Sequence, residues 1–242
     1  MAEFKLPTEV IDLPSKGLLY SKDSPLSDGK IEIKYMTARE EDILSNISYI
    51  QQGIVLDKLF ESLIVSKINY DDLLIGDKNA VMIAARVLGY GPDYKFQYNG
   101  KENTINLAEL ENVKVDEKSW NRENKFNFTF PNSKTEITFK LLTHGDEMKI
   151  NEEVDSLKKI RKDSDTTIST RLKHQITSVA GDSSQKAIRD FVDNYLLARD
   201  ARALREHVKT INPDLDLTFF PQGTSKRVSI PIGLTLFWPD SE

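Results

Sequence analysis

Acidic side chains gather directly after a threonine at two places, Thr37-Ala38-Arg39-Glu40-Glu41-Asp42 and Thr143-His144-Gly145-Asp146-Glu147. Such clusters raise the possibility of acid–base chemistry. A glycosidic bond is cleaved by two carboxyl groups held on either side of it, one with its pKa raised by burial. Glu40, Glu41 and Asp42 are consecutive, so on a helix they point around the axis and not at one bond. His144 beside Asp146 suggests a base with an orienting acid, although an imidazole at a helix start is more often a solvent-facing polar group. The other imidazoles, His174 and His207, form no His-x-x-x-His or His-Glu-x-x-His spacing with it, which argues against a metal site. No cysteine is present, which excludes disulfides, thiolate ligands and cysteine nucleophiles. No Gly-x-Ser-x-Gly, phosphate-loop or dinucleotide glycine pattern occurs. No catalytic, cofactor-binding or metal-binding residue is assigned.

The same spacings make structural sense as helix starts. Thr37-x-x-Glu40 is a capping box: the threonine oxygen accepts from the third helical amide and the glutamate reaches back to the threonine amide. Thr143 and Asp146 form a weaker version. Acids in a first helical turn also face the positive end of the helix dipole. Thr37, Glu40, Thr143 and Asp146 are therefore read as two copies of one joint between a strand and a helix.

The elements around these joints repeat in order. Residues 1–29 read as an extended N-terminal arm, interrupted by Pro7, Pro14 and Pro25, with a short strand near Leu18–Tyr20. Residues 30–108 read as a first α+β repeat. Ile31, Ile33 and Tyr35 alternate with Lys30, Glu32 and Lys34 as a half-buried strand. Helical faces follow at 43–50 and 55–64. A third helix is capped by Asp77 and ended by Gly89, and a hairpin turns at Asn99-Gly100. Residues 109–123 form a charged linker. Residues 124–242 read as the second repeat, with a hairpin about Pro131-Asn132-Ser133, helices near 144–160, 165–180, 184–199 and 201–211, and closing strands turned at Gln222-Gly223-Thr224. Thr37 and Thr143 lie 106 positions apart, and Pro92 and Pro213 lie 121 apart. The 15 extra residues of the second copy fall in the charged helix near 152–165. The expected fold is α+β and helix-rich: two diverged tandem copies of strand, helices and β-hairpin behind the arm.

Net charge is −5 with both signs intermixed, so no long-range field draws in nucleic acid or an anionic membrane. Arg202, Arg205 and Lys209 share a helix face amid acids and read as a solvated, salt-bridged surface. No window approaches the roughly 18 apolar residues of a membrane span, and the first residues lack the apolar core of an export signal. Phe237 and Trp238 end a strand before a proline and an acidic tail. They close the core or serve as an aromatic anchor for a partner. Leu18, Leu19 and Tyr20 of the arm are the companion candidates, since a strand that cannot pair with itself suits addition to a neighbour's sheet.

"GLLYSKDSPLSDGKIEIKYMTAREEDIL", "LLTHGDE", "DNYLLARDARALREHVK" and "IPIGLTLFWP" together resemble the baseplate hub and hub-assembly proteins of T4-type contractile-tailed bacteriophages, over about Leu13 to Pro239. The resemblance implies a structural or assembly protein that contacts other baseplate or hub proteins, present in the host cytoplasm during assembly or in the virion tail. In many relatives the terminal hairpins carry paired cysteines like a small zinc ribbon. The matching segments here, Tyr94–Leu107 and Leu215–Ile232, have none, so no cofactor is expected. The alternatives are a tail-associated cell-wall hydrolase using acidic residues, or a nucleic-acid-binding module.

Overall fold

A computed structural model describes residues 6–160, 165–221 and 224–238. Strand β1 (Thr8–Asp12) pairs antiparallel with β2 (Lys30–Lys34), Val10 standing opposite Glu32. After β2 come α1 (Ala38–Leu44), α2 (Ile47–Gln52), α3 (Val55–Leu63) and the long α4 (Ile75–Tyr90). A hairpin of β3 (Asp93–Tyr98) and β4 (Lys101–Asn106) follows. Its turn residues Asn99 and Gly100 both have positive φ, 49° and 73°, as a type I′ turn requires. The second half begins with β5 (Phe126–Thr129) and β6 (Glu136–Phe139), then α5 (His144–Ile160) and α6 (Thr167–Gln175). It continues with β7 (Ile176–Val179), α7 (Gln185–Asn194), α8 (Ala198–Ile211) and the short pair β8 (Thr218–Phe219) and β9 (Val228–Ser229). Among the described residues every strand pairing is antiparallel and the sheets are small. The fold is α+β.

Several elements differ from the sequence reading for local reasons. The strand of the arm is Thr8–Asp12. Leu18–Tyr20 lies in a series of tight turns, with Lys16 N donating to Leu13 O and Leu18 N to Ser15 O. Lys16 and Gly17 have φ of 52° and 73°, which breaks any strand there. At Gly17 a side-chain carbon would also come within 2.3 Å of Ser27 O, so the turn and the residues before β2 close on each other. Helix α4 does not end at Gly89. It runs to Tyr90, with Gly91 at φ 84°, while Gly89 packs against Met36. The helix expected over 165–180 divides: Ile176-Thr177-Ser178-Val179 is β-branched and alternating, and it adds to β6 as a third strand. The next helix stops at Asn194, and α8 starts three residues earlier than the reading, at Ala198. Leu234–Phe237 forms a 3-10 turn and not a strand. The Gln222-Gly223 turn lies outside the described residues.

Both expected repeats share one main core. Ile33, Leu59, Phe60 and Val81 from the first half belong to the same buried cluster as Phe130, Phe139, Leu204 and Phe237 from the second. The helices turn their apolar stripes into it, as the i, i+3, i+4 spacing of Ile188, Phe191 and Val192 in α7 shows. The seam between the halves is backbone against backbone. His144 N donates to Leu73 O at 2.7 Å and Ile75 N to Leu142 O at 3.3 Å. Gly76 fits against Pro213 so closely that a side-chain carbon would fall 1.8 Å from its carbonyl oxygen. The segment 109–123 is also tied down: Trp120 Nε1 donates to Ile211 O at 2.7 Å, and Val113 N to Asp214 O at 2.9 Å. No helix among the described residues is long and apolar enough to cross a membrane.

Candidate functional site

At the first joint the capping geometry is present and reinforced. Thr37 N donates to a Glu40 carboxylate oxygen at 2.9 Å, and the Thr37 hydroxyl donates to the same oxygen at 2.6 Å. The other oxygen accepts from Lys34 Nζ at 2.8 Å and from the Ser62 hydroxyl at 2.7 Å. Glu40 has no exposed surface. Burial would raise its pKa, but the bonds from Lys34, Thr37 and Ser62 outweigh burial and hold the carboxyl down at about 2. Glu41 and Asp42, on the same turn, face solvent.

The second joint repeats this arrangement 106 residues on. Lys140 Nζ donates to Asp146 at 2.6 Å, and Thr143 N donates to its other oxygen at 3.1 Å. The Asp146 amide returns a bond to the Thr143 hydroxyl at 3.3 Å, which completes the reciprocal box. The lysine three residues before each threonine escaped the sequence reading, although Lys34 and Lys140 keep the 106-residue spacing. The strand behind each joint is braced alike, by the antiparallel bridge Ile33–Ile64 in one half and the pair Phe139–Ile176 in the other. Glu40 and Asp146 share no hydrogen-bond partner, and every oxygen of each carboxylate accepts a bond within its own joint.

A further pair of buried aspartates went unread as a pair. Asp77 and Asp200 are each the third residue of a helix, α4 and α8, and each grips the loop joining two strands. Asp77 accepts from Ser15 N at 2.9 Å and from the Tyr20 hydroxyl at 2.6 Å. Asp200 accepts from Asn132 N and Ser133 N, both at 2.9 Å, and from Asn132 Nδ2 at 2.7 Å. Asp77 is therefore not the N-cap expected from the sequence; Leu74 holds that position. Burial pushes the Asp77 carboxyl up, against the opposing bonds from Tyr20 and Ser15.

His144 does not face Asp146. Its Nδ1 lies 3.0 Å from Lys78 Nζ, its ring packs 4.5 Å from that of Tyr70, and its Nε2 is 3.8 Å from Asp57. Burial, and then the Lys78 ammonium, lower its pKa. Asp57 in turn accepts from Lys78 at 2.6 Å and from the Tyr70 hydroxyl at 3.0 Å. This cluster ties α3 and α4 to α5 at the seam. His174 bonds Glu153 at 3.0 Å, and His207 stacks on Phe128 at 4.9 Å. Among the described residues no three His, Asp or Glu side chains gather as metal ligands would.

The residues proposed as partner anchors lie mostly inside the molecule. Leu19, Tyr20 and Phe237 are buried, Phe237 with its ring 6.1 Å from that of Phe60. The Tyr20 hydroxyl accepts from Leu74 N while it donates to Asp77. Trp238 is half-buried against the core, and only Leu18 is exposed. Leu19, Tyr20 and Phe237 hold the fold, while Leu18 and Trp238 keep exposed surface.

The concave surfaces lie elsewhere. A cavity of about 730 Å³ opens between α6 and α8, with Leu142, Ile168 and Val208 on its apolar wall and Arg171, Arg205 and Lys209 among its polar lining. The face of α8 read as a simple solvated surface thus borders an apolar hollow. A second groove, of about 400 Å³, lies between β1 and α4. Neither was legible in the sequence, because each is assembled from segments distant along the chain. Comparison with protein-family models, with curated proteins and with solved structures finds no match to this chain.

Proposed function

We propose that this protein is a non-enzymatic structural or assembly protein of a phage tail baseplate hub, acting through protein–protein contacts. One observation carries the non-enzymatic part. The carboxylates with the most suggestive spacing, Glu40 and Asp146, are each bonded to a lysine, a threonine amide and a threonine hydroxyl of their own joint. A general acid needs a proton to give and access to a leaving group. Glu40 is buried and held ionised, so it has neither. The tail assignment rests on the sequence resemblance, which spans the arm, both joints and the closing segment. The recurrence of lysine, threonine and acid at 106 residues, with a buried helix-start aspartate in each half, supports reading the chain as two diverged copies of one unit.

Quantitative mass spectrometry of purified virions tests the assignment together with a null mutant. A subunit should be found in fixed stoichiometry. An assembly factor should be missing from virions while the null mutant fails to build baseplates. A null mutant with normal baseplates, or clearing of peptidoglycan by the purified protein, would contradict the proposal.

A further inference from the structure

β1 is paired on one side only. Tyr35 N donates to Pro7 O at 3.1 Å and Leu13 N to Gly29 O at 2.8 Å, which places Pro7, Glu9, Ile11 and Leu13 at the hydrogen-bonded positions facing β2. By the alternation of an antiparallel ladder, the N–H and C=O groups of Thr8, Val10 and Asp12 point to the opposite edge. No strand among the described residues pairs with that edge. Beside it runs the 400 Å³ groove. Ile83, Ala84 and Val87 of α4 line it together with Leu110 and Leu215, and Glu9 and Ile11 reach it from β1. It lies on the inner face of the sheet, where the inward side chains of one more strand would fall.

We propose that this edge takes up an extended segment of a partner protein as a third strand. Its backbone bonds Thr8, Val10 and Asp12, its inward side chains are apolar, and its outward side chains are basic and meet Asp12. The inference rests on the reading of the protein as an interaction protein and names the kind of partner it takes. A row of open backbone donors and acceptors selects a strand, since a helix spends those groups internally. The charge of the edge selects a basic one. On the outward face Asp12 meets, among the described residues, only the exposed Lys30 at 3.6 Å. The strand carries no lysine or internal proline to guard it. A second copy would offer its own β1, which carries Glu9 and Asp12 and no basic residue, and so would supply no counter-charge to Asp12.

A fluorescein-labelled, end-capped peptide of three Lys-Val repeats is the probe, read by fluorescence anisotropy. Wild-type protein should bind it roughly tenfold more tightly than a Lys-Lys-Lys-Val-Val-Val peptide of the same composition, because only the alternating peptide places its valines on one face. Val10→Pro removes an outward N–H that β2 does not use, so the β1–β2 ladder survives. It should weaken binding on the order of tenfold. Slowed hydrogen exchange at the Val10 amide of the wild-type protein on peptide addition supports the proposal even if Val10→Pro does not fold. No binding, equal binding of the two peptides, equal binding to Val10→Pro, or unchanged exchange at Val10 would overturn it. So would a self-association that Val10→Pro abolishes, which would assign the edge to a second copy. Any of these results would leave the virion test of the broader reading standing, whereas peptidoglycan clearing would remove both.

Discussion

Glu40→Ala should destabilise the protein by about 3–5 kcal/mol, the range for removing one partner of a buried ion pair. The substitution deletes the acceptor of Lys34, of the Ser62 hydroxyl and of both the amide and hydroxyl of Thr37. Lys34 is left largely buried without its counter-charge, its side chain only 18% exposed. Against a typical domain stability of about 5–15 kcal/mol, such a loss should be plain in a chemical-denaturation curve. Glu41→Ala and Asp42→Ala supply the contrast. Both side chains face solvent on the same turn, and each should change stability by no more than about 0.5 kcal/mol. Equal effects at all three positions would mean that general acidity near the helix start matters and the specific joint does not.

Phe237→Ala should cost a similar amount, about 3–5 kcal/mol, by removing a fully buried ring and leaving a cavity. Phe237 has no exposed surface and packs on Phe60, itself buried, so the final 3-10 turn closes a core begun in the first half. An exposed anchor would behave differently: its loss would weaken a partner contact and leave the unfolding midpoint where it was. Thermal and denaturant unfolding of the isolated protein separate the two roles without knowledge of any partner. Trp238→Ala should cost less, because Trp238 is only half-buried.

What could be read from the sequence, and what could not, divides along the range of the interactions involved. Local chemistry was legible. The alternation of Ile31 and Ile33, the Asn99-Gly100 turn and the two threonine–acid joints are all fixed by residues within a few positions of each other. Places where a local preference met a distant partner were misread. Ile176–Val179 continues a helical pattern on paper, yet β6 captures it as an edge strand. Leu18–Tyr20 is apolar enough for a strand, but Lys16 and Gly17 turn the chain and Asp77, 57 residues after Tyr20, takes its hydroxyl. Matching contacts stand 106 positions apart at the joints, 112 apart at Ile64 and Ile176, and 123 apart at Asp77 and Asp200. On the tandem reading the second half would be longer by 123 − 106 = 17 residues, most of them between Ile176 and Asp200 and not in the charged helix near 152–165. The grooves were invisible for the same reason: an apolar residue beside a cavity and one inside the core look alike in sequence.

Functional significance follows from what the joints use up. Each half spends its most conspicuous carboxylate on a helix beginning, and each grips its strand-connecting loop with a second buried aspartate. The free edge of β1 with its groove and the hollow bordered by α6 and α8 lie open to solvent, apolar within and charged at the margin.

The most direct measurement is a ¹³C NMR titration of the Glu40 side-chain carboxyl in the folded protein. With its pKa held near 2 against an ordinary 4.5, Glu40 should stay ionised from neutral pH down to about 3. Because the folded-state value lies below the unfolded one, its contribution to stability should be complete above pH 4.5 and decline as the pH falls toward 2. A midpoint at or above 4.5 in the folded state would mean a carboxyl that holds its proton where a catalyst could use it, and the structural account of the joints would be wrong.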